Sequence, residues 1–490
     1  YFNGLLPPSH AGQSKHLVID MSSPNIAKEM HVGHLRSTVL GESLAHLYSL
    51  FGWKVTKINH IGDWGTQFGM LLAYLKQTDT DMSNFVKDNC VSDLQTMYKA
   101  AKKKFDEDSD FKKQSLLWVT KLQNKEPEAH NIWKQIVEIS MNKYNEIYDQ
   151  LCIKNLEPIG ESFYRELMPE MLNDLKIRKL TEIDDNGRTI LMTKKGLVPL
   201  ILEKSDGATT YDTSDLCALK YRIENLKADK LLYVIDSGQS SHMKSVFQAA
   251  LNCKYLDDIN RAEHIEFGLV LDQEKKKFKT RSGETIKLQD LFDESYKKAE
   301  EALKQKRGQE VGEDQQFWTE VARSLGRGCI VYQDLSQKRN LDYIFSFERM
   351  LSDKGNTAAY LNYAHVRIRS ILRKCLEINP NIEKELQELS DTEILQILTS
   401  NQNSSTNRLI KHLINYPQVL VQSFRDHQIY FICDYLYALA SYFTDFYHNT
   451  KIIDIVSKKI NLSALALSVT ASKLLKELMG LMTIQAVEKI

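Results

Sequence analysis

Two hydrophobic periods share this chain. Residues His16-Leu17-Val18-Ile19-Asp20 form a short continuous apolar run, the pattern of a buried strand. Ser22-Ser23-Pro24-Asn25 breaks it with turn-forming residues. From Gly33, Leu35, Val39, Leu40, Leu44, Leu47, Tyr48 and Phe51 recur at helical spacing and predict a helix with one apolar face. Lys54–Asn59 alternates and predicts a second strand. The loop 59–69 carries Gly62, Gly65, Gly69 and Trp64, which suits a tight wall against a ligand and equally a glycine-rich turn. Residues 71–151 read as a helical insertion, with a lysine-rich face from Tyr98 to Phe105 and a stripe of Ile132, Trp133, Ile136, Ile139, Tyr144, Ile147, Tyr148 and Leu151 that reads as core.

Short apolar runs return at 189–192, 198–202 (with an edge-type Pro199), 231–235 and 265–271. The run 231–235 ends in Asp236-Ser237-Gly238-Gln239 and feeds a helix. Strands feeding helices predict an α/β Rossmann-type domain, a doubly wound parallel sheet with ligands at the carboxyl ends of its strands. From about Leu341 the pattern is helical to the end. Leu462, Leu465, Val469, Leu474, Leu475, Leu478 and Leu481 form the last apolar face, and 401–407 reads as a polar loop.

Composition narrows this picture. At 490 residues the chain has room for two to four domains. Lys plus Arg and Asp plus Glu are both 64, which argues against a protein that simply coats nucleic acid but leaves room for a local basic face. Cys90, Cys152, Cys217, Cys253, Cys329, Cys375 and Cys433 are odd in number and scattered. They read as reduced cysteines of an intracellular protein, neither a disulfide framework nor a zinc site. No run of 18 apolar residues predicts a membrane span. The start at Tyr1, without Met, leads us to expect further residues before it.

Three stretches carry candidate chemistry. His31 and His34 bracket Gly33 at a helix start, where unpaired N–H groups and the dipole suit phosphate, and where a glycine would let a ring or phosphate approach the backbone. Lys275, Lys276, Lys277, Lys279 and Arg281 crowd a loop that is either a solvated basic tract or a clamp on polyphosphate. Its place after a strand favours the clamp. Tyr360, Tyr363 and Arg367 share a helix face that could stack on unpaired bases or pack within a bundle with Arg at its rim.

Read in order, SSPNIAKEMHVGHLRSTVLGES, NHIGDWGTQFGM, GESFY, YDTSDL, GQSSH and KKKFKTRSGET resemble the arginyl-tRNA synthetases, and most closely the eukaryotic cytosolic type. The resemblance covers nearly the whole chain. It implies a class I synthetase: a Rossmann-type catalytic domain at 16–290 with its helical insertion, a helical connective region at 291–340, and an all-α anticodon-binding domain at 341–490. Residues 1–15 would be the remnant of an N-terminal extension that contacts the tRNA elbow. The implied reaction joins L-arginine to ATP as arginyl-adenylate plus pyrophosphate, then esterifies the terminal adenosine of tRNA(Arg). Family members typically activate arginine only with tRNA bound. Mg²⁺ is implied with ATP, a resident protein metal is not, and the implied location is cytoplasmic with no membrane partner. Other synthetases would be reached through the N-terminal region.

The resemblance also assigns residues. Lys28, His31, His34, Lys279 and Arg281 would act on the phosphates, with His31, Gly33, His34 and Lys279 holding ATP. Phe278-Lys279-Thr280-Arg281-Ser282-Gly283 stands where the KMSKS-type loop belongs but lacks its second lysine, and Lys28 resembles the residue that replaces it. Asn25, Glu161, Tyr211, Asp215 and Gln239 match the arginine-binding set, a logical one for a planar fork of donors. Tyr360, Tyr363, Arg367 and Ile490 match the anticodon end. There the chain departs from the family, closing on Ala486-Val487-Glu488-Lys489-Ile490 rather than Pro-Val-x-Arg-Met and lacking the usual Cys-containing run after Tyr447.

Overall fold

The computed structural model describes residues 12–78, 91–276, 278, 286–307, 315–390, 392, 393, 396, 404–454 and 456–490. A five-stranded, all-parallel sheet organises its first half. The strands are β1 (His16–Asp20), β2 (Lys54–Asn59), β3 (Leu156–Pro158), β7 (Lys230–Tyr233) and β8 (Ala262–His264), in the spatial order β3-β2-β1-β7-β8. Side chains alternate across a strand. Leu17 and Ile19 of β1 therefore enter one core and Val18 the other, and Leu231 and Leu232 of β7 divide the same way. Both faces are covered, which a parallel sheet requires.

On one face lies α1 (Val32–Leu50), with Leu35, Leu44 and Leu47 fully buried. Against the other lie α7 (Met168–Ile177), α8 (Tyr211–Glu224) and α9 (Ser240–Asn252), which contribute Leu175, Leu219 and Val246 to the second core. The insertion comprises α2 (Thr66–Gln77), α3 (Val91–Glu107), α4 (Ser109–Gln123) and α5 (Pro127–Gln150). It begins five residues earlier than the hydrophobic pattern indicates. Its Trp118, Tyr144 and Tyr148 are buried, as their stripe predicts.

Two strand expectations change. Residues 189–192 and 198–202 do not join the parallel sheet. Thr181–Ile183 (β4), Thr189–Leu191 (β5) and Leu200–Glu203 (β6) form a separate antiparallel sheet. Short turns can only join antiparallel neighbours, since a parallel crossover needs about a dozen residues or more. The run 265–271 is also divided. The main sheet ends at His264, and only Val270–Leu271 (β9) is a strand, paired with Tyr343–Ile344 (β10).

Beyond it the chain is mostly helical: α10 (Leu288–Arg307), α11 (Gln315–Leu335), α12 (Phe347–Met350), α13 (Ala358–Ile378), α14 (Ile382–Gln387), α15 (Ser404–Ile414), α16 (Tyr416–Asp426), α17 (Tyr430–Asn449) and α18 (Leu462–Leu481). A two-stranded hairpin, β11 (Ile453–Asp454) and β12 (Lys459–Ile460), interrupts it. The polar tract 401–407 becomes the start of α15 from Ser404, while 401–403 lie outside the described residues. Helix α1 also touches α10, α11, α16 and α18, so one helix serves both halves of the molecule. Among the described residues no helix is long and apolar enough to cross a membrane.

Candidate active site

The histidine pair caps the helix it opens. His31 is the N-cap of α1 with extended backbone (φ −126°), and its Nδ1 accepts from Gly33 N at 3.1 Å. His34 Nδ1 accepts from His31 N at 3.0 Å, and the ring centroids lie 4.0 Å apart. This is a capping box built from imidazoles. Two backbone donors engage both Nδ1 atoms, so in the neutral rings each Nε2 carries the proton and is a donor. Burial, His31 and Lys28 bring the His34 imidazole down to about 3, so it stays neutral at physiological pH. A Cβ at Gly33 would stand 2.9 Å from His31 Cε1, so the missing side chain makes room for the His31 ring.

The turn before the pair is strained and heavily tied. Ser22, Ser23 and Ala27 all have left-handed backbone (φ 72°, 51° and 61°), roughly 1–2 kcal/mol each for residues with a Cβ. Ser22 N donates to Ser37 Oγ at 2.8 Å, Ser23 N to Asn59 Oδ1 at 3.0 Å, and Ala27 N to Ser140 Oγ at 3.1 Å. Tyr148 Oη meets Ser22 Oγ at 2.8 Å and accepts from Asn59 Nδ2 at 2.9 Å. The Tyr144 hydroxyl lies 2.7 Å from the Asn25 carbonyl and 2.6 Å from that of Lys28. Lys28 is exposed, its ammonium 5.3 Å from the Tyr98 ring centroid.

Asn25 bridges to Gly62, where a Cβ would stand 2.3 Å from Asn25 Oδ1. Gly62 therefore lets the Asn25 side chain approach the 59–69 loop closely. That loop is pinned by Trp133 Nε1 donating to the Asp63 carbonyl at 2.8 Å.

A group of acids lies in and beside this loop. Asp63 is buried and accepts from Ser162 N (2.9 Å) and Ser162 Oγ (2.6 Å). Burial raises its carboxyl nonetheless. Glu161, at the start of α6 (Glu161–Arg165), donates its backbone N–H to Ile61 O at 3.1 Å. Burial, then the Asp63 and Asp215 charges, raise its carboxyl to about 7. Asp215 on α8 accepts from His242 Nε2 at 2.6 Å, and His242 Nδ1 lies 3.5 Å from Asp212. Burial would lower His242, but the Asp215 bond and both acid charges raise it. Tyr211 is 66% exposed and its ring lies 4.8 Å from that of His242. Gln239 is exposed in the 3₁₀ turn Ser237–Gln239 that leads into α9. Several carboxylates are thus held in partial burial with mutual repulsion, an arrangement that a positive charge would relieve.

The sequence pattern passed over several members of this set. His242 is the last residue of GQSSH and could have been noticed there. Asp63 and Ser162 lie inside NHIGDWGTQFGM and GESFY, where nothing in the motif singles them out. Tyr144 and Tyr148 read as core, and nothing local distinguishes them. Arg222, buried on α8, pairs with Asp20 at 2.8 Å, bonds His60 Nδ1 at 3.2 Å and stacks over Tyr233, bracing the sheet end behind the acids.

The other expected sites lie apart. Lys279 and Arg281 are outside the described residues, as is Lys277. Phe278 is described and packs on Phe345. On α13, Tyr360 and Tyr363 are half-buried against the core. The Tyr360 ring lies 5.6 Å from that of Tyr437, and exposed Arg367 lies over Tyr447 at 5.8 Å. Ile490 is not brought to them. It joins a small cluster with Leu303, Val321, Leu325 and Val487. Val487 N donates to Asn362 Oδ1 at 2.9 Å and Arg369 Nε to Glu488 at 2.7 Å, on the other flank of α13.

Comparison with known proteins gives consistent matches. Residues 4–347 match the family described as tRNA synthetases class I (R), catalytic domain, and residues 361–490 the DALR anticodon binding domain. The arginine–tRNA ligase, cytoplasmic, of Xenopus tropicalis is 42% identical over 494 residues, covering 100% of this chain and 73% of that protein. The human protein of the same name is 43% identical over 446 residues, covering 91% and 66%. The chain thus spans about two thirds of the length of the curated relatives it matches. The crystal structure of arginyl-tRNA synthetase from Plasmodium falciparum superposes with a TM-score of 0.79 at 31% identity, over 98% of this chain and 78% of that one.

Proposed function

The chain belongs to the class I arginyl-tRNA synthetases, and from that membership we propose that it is an arginine–tRNA ligase whose active site is the histidine-capped turn and the acid pocket beside it. The acid pocket carries this reading. Glu161, its carboxyl raised to about 7 by burial and then by the Asp63 and Asp215 charges, suits a guanidinium, which brings five donors and a permanent positive charge. Lysine's compact ammonium would leave acceptors of this set unpaired, a basis for rejecting it.

Arginine would lie with its guanidinium on Glu161 and Asp215, with Tyr211 and Gln239 at the pocket's open side and Asn25 at the α-amino and carboxylate end. ATP would lie over the start of α1. One arginine carboxylate oxygen attacks the α-phosphorus, the bond to the β-phosphate oxygen breaks, and pyrophosphate leaves. The Nε2–H groups of His31 and His34 and the Lys28 ammonium would take up the charge that develops on the phosphate oxygens, with Lys279 and Arg281 supplying the other side. Mg²⁺ would accompany the polyphosphate. In the second step a hydroxyl of the terminal adenosine of tRNA(Arg) attacks the adenylate carbonyl and AMP departs.

We read residues 16–290 as the catalytic domain with its insertion at about 71–151, residues 291–340 as connective, and residues 341–490 as the part that meets the anticodon through Tyr360, Tyr363 and Arg367. The cytoplasm is the proposed location, in keeping with the printed names of the relatives. Arginine-dependent ATP–pyrophosphate exchange, with and without tRNA(Arg), tests the activity. Exchange in neither condition would overturn it.

A further inference from the structure

We propose that Tyr144, on the helical insertion, is a positioning residue that couples the arginine and ATP subsites by holding the turn from Asn25 to Lys28 with one shared hydroxyl proton. This rests on the assignment of Asn25 to arginine and Lys28 to ATP.

The two residues lie three positions apart on one short turn, and their side chains serve different ligands. Their carbonyls converge on a single atom, the Tyr144 hydroxyl, at 2.7 and 2.6 Å. An O–H carries one proton, so the bond is three-centred. A displacement of either carbonyl changes the bond to the other. On its other side the turn is bridged to Gly62 through Asn25, and Ser22 and Ser23 before it and Ala27 within it have left-handed backbone. Conformations of this kind persist only where the surroundings over-determine them.

On one side those surroundings come from the insertion. Ser140, on the same helix as Tyr144, accepts from Ala27 N at 3.1 Å. On α3, Gln95 Oε1 accepts from Glu29 N at 2.7 Å and the Tyr98 ring lies beneath the Lys28 ammonium. Tyr144 itself is fully buried, and burial holds its phenol far above the usual range, so it remains a donor at every pH at which the protein works. Insertion helices α3 and α5 thus form a rigid floor under the one segment that both substrates touch.

Calorimetric binding to the whole chain tests this. Arginine affinity is measured with and without a non-hydrolysable ATP analogue, for the wild type, Tyr144→Phe and Tyr148→Phe. The second variant removes a hydroxyl of the same helix that holds Ser22 and Asn59 rather than the two carbonyls. In the wild type each ligand should tighten the other by about 5-fold or more. Tyr144→Phe should bring that factor close to one and lower kcat/KM by about 10- to 100-fold, as small misplacements of reacting groups do. Tyr148→Phe should lower the urea midpoint yet keep the factor. A Tyr144→Phe protein that loses stability but retains the wild-type factor and both KM values would overturn the proposal. Hydrogen exchange on the wild type gives a second readout that needs no variant. Either ligand alone should slow exchange in both 22–30 and 140–150, and protection of the turn without the helix would also overturn it. A wild type that binds the ATP analogue but not arginine would show instead that the functional reading itself fails.

Discussion

Glu161 titrates where the protein works. Its carboxyl is raised to about 7 by burial, Asp63 and Asp215, so the free protein near neutrality holds a proton there that the unfolded chain would have released. The folded state therefore binds more protons between the ordinary glutamate range and about 7. Stability of the free protein should fall as pH rises through that window. An incoming guanidinium favours the ionised form, so arginine should weaken as pH drops below about 7, measurable as Kd against pH. Glu161→Gln should remove that dependence and weaken arginine by about 10- to 100-fold, the scale of a lost charge-assisted hydrogen bond of roughly 1.5–3 kcal/mol. His34 behaves oppositely. Held down to about 3, it stays neutral across this range. His34→Ala should lower the exchange rate by about 10²- to 10³-fold while arginine Kd stays at its wild-type value, and His34→Gln, with an amide donor, should recover part of the rate.

At the scale of the element, α1 is opened by the residues proposed to do chemistry. His31 and His34 close a reciprocal capping box, so function and helix initiation share the same nitrogens. The two roles can be separated. His31→Ala should lose about 1 kcal/mol of stability together with activity, while His31→Asn, a strong N-cap, should keep the denaturation midpoint and still lose activity. The start of α1 was legible because its apolar positions repeat over five turns and a turn precedes it. The strands 189–192 and 198–202 were legible as strands but not as members of a sheet. Alternation reports which faces are buried and says nothing about which partner lies alongside. The helical reading of the insertion held as well, yet the use of Tyr144 and Tyr148 as hydroxyl anchors could not be read, because an aromatic at a core position looks the same with or without a polar partner at its tip.

Across the whole molecule, α1 is the axle. Arg36 and Asp334, both nearly inaccessible, pair at 3.1 Å between α1 and α11. Arg36 also donates to the Gly268 and Leu341 carbonyls at 2.7 and 3.1 Å, and Tyr343 Oη donates to Asp334 at 3.0 Å. Removing one partner strands a buried charge. Asp334→Ala should cost about 3–5 kcal/mol in urea denaturation, and Arg36→Met with Asp334→Leu should recover much of it. A second clasp runs from Tyr48 on α1 through His427 Nε2 (2.7 Å) and Nδ1 (2.8 Å) to Glu263 on β8. Burial would raise Glu263, but bonds and charges from His427 and Lys230 outweigh it and bring the carboxyl down to about 2. Its stabilisation is present above the ordinary glutamate range and is lost progressively as pH falls from there toward about 2, so hydrogen exchange in 427–436 should quicken only over that acid interval.

The sequence by itself determined the parallel α/β half and the helical half, and it drew attention to the turn with Lys28, His31 and His34 and to Asn25, Glu161 and Asp215 as candidates. These follow from periodicity, turn chemistry and ordered motifs, which are local along the chain. The tertiary structure alone decided that Asp63, Ser162 and His242 lie beside Glu161 and Asp215, that Gly33 makes room for a histidine ring, that Ile490 joins a cluster separate from the one Tyr360 and Tyr363 pack against, and that an insertion helix holds the turn at Asn25 and Lys28. Each of these depends on atoms from distant segments meeting within about 3 Å, at the range where hydrogen bonds form and carboxylates shift one another. Composition and spacing along a chain carry no record of that distance.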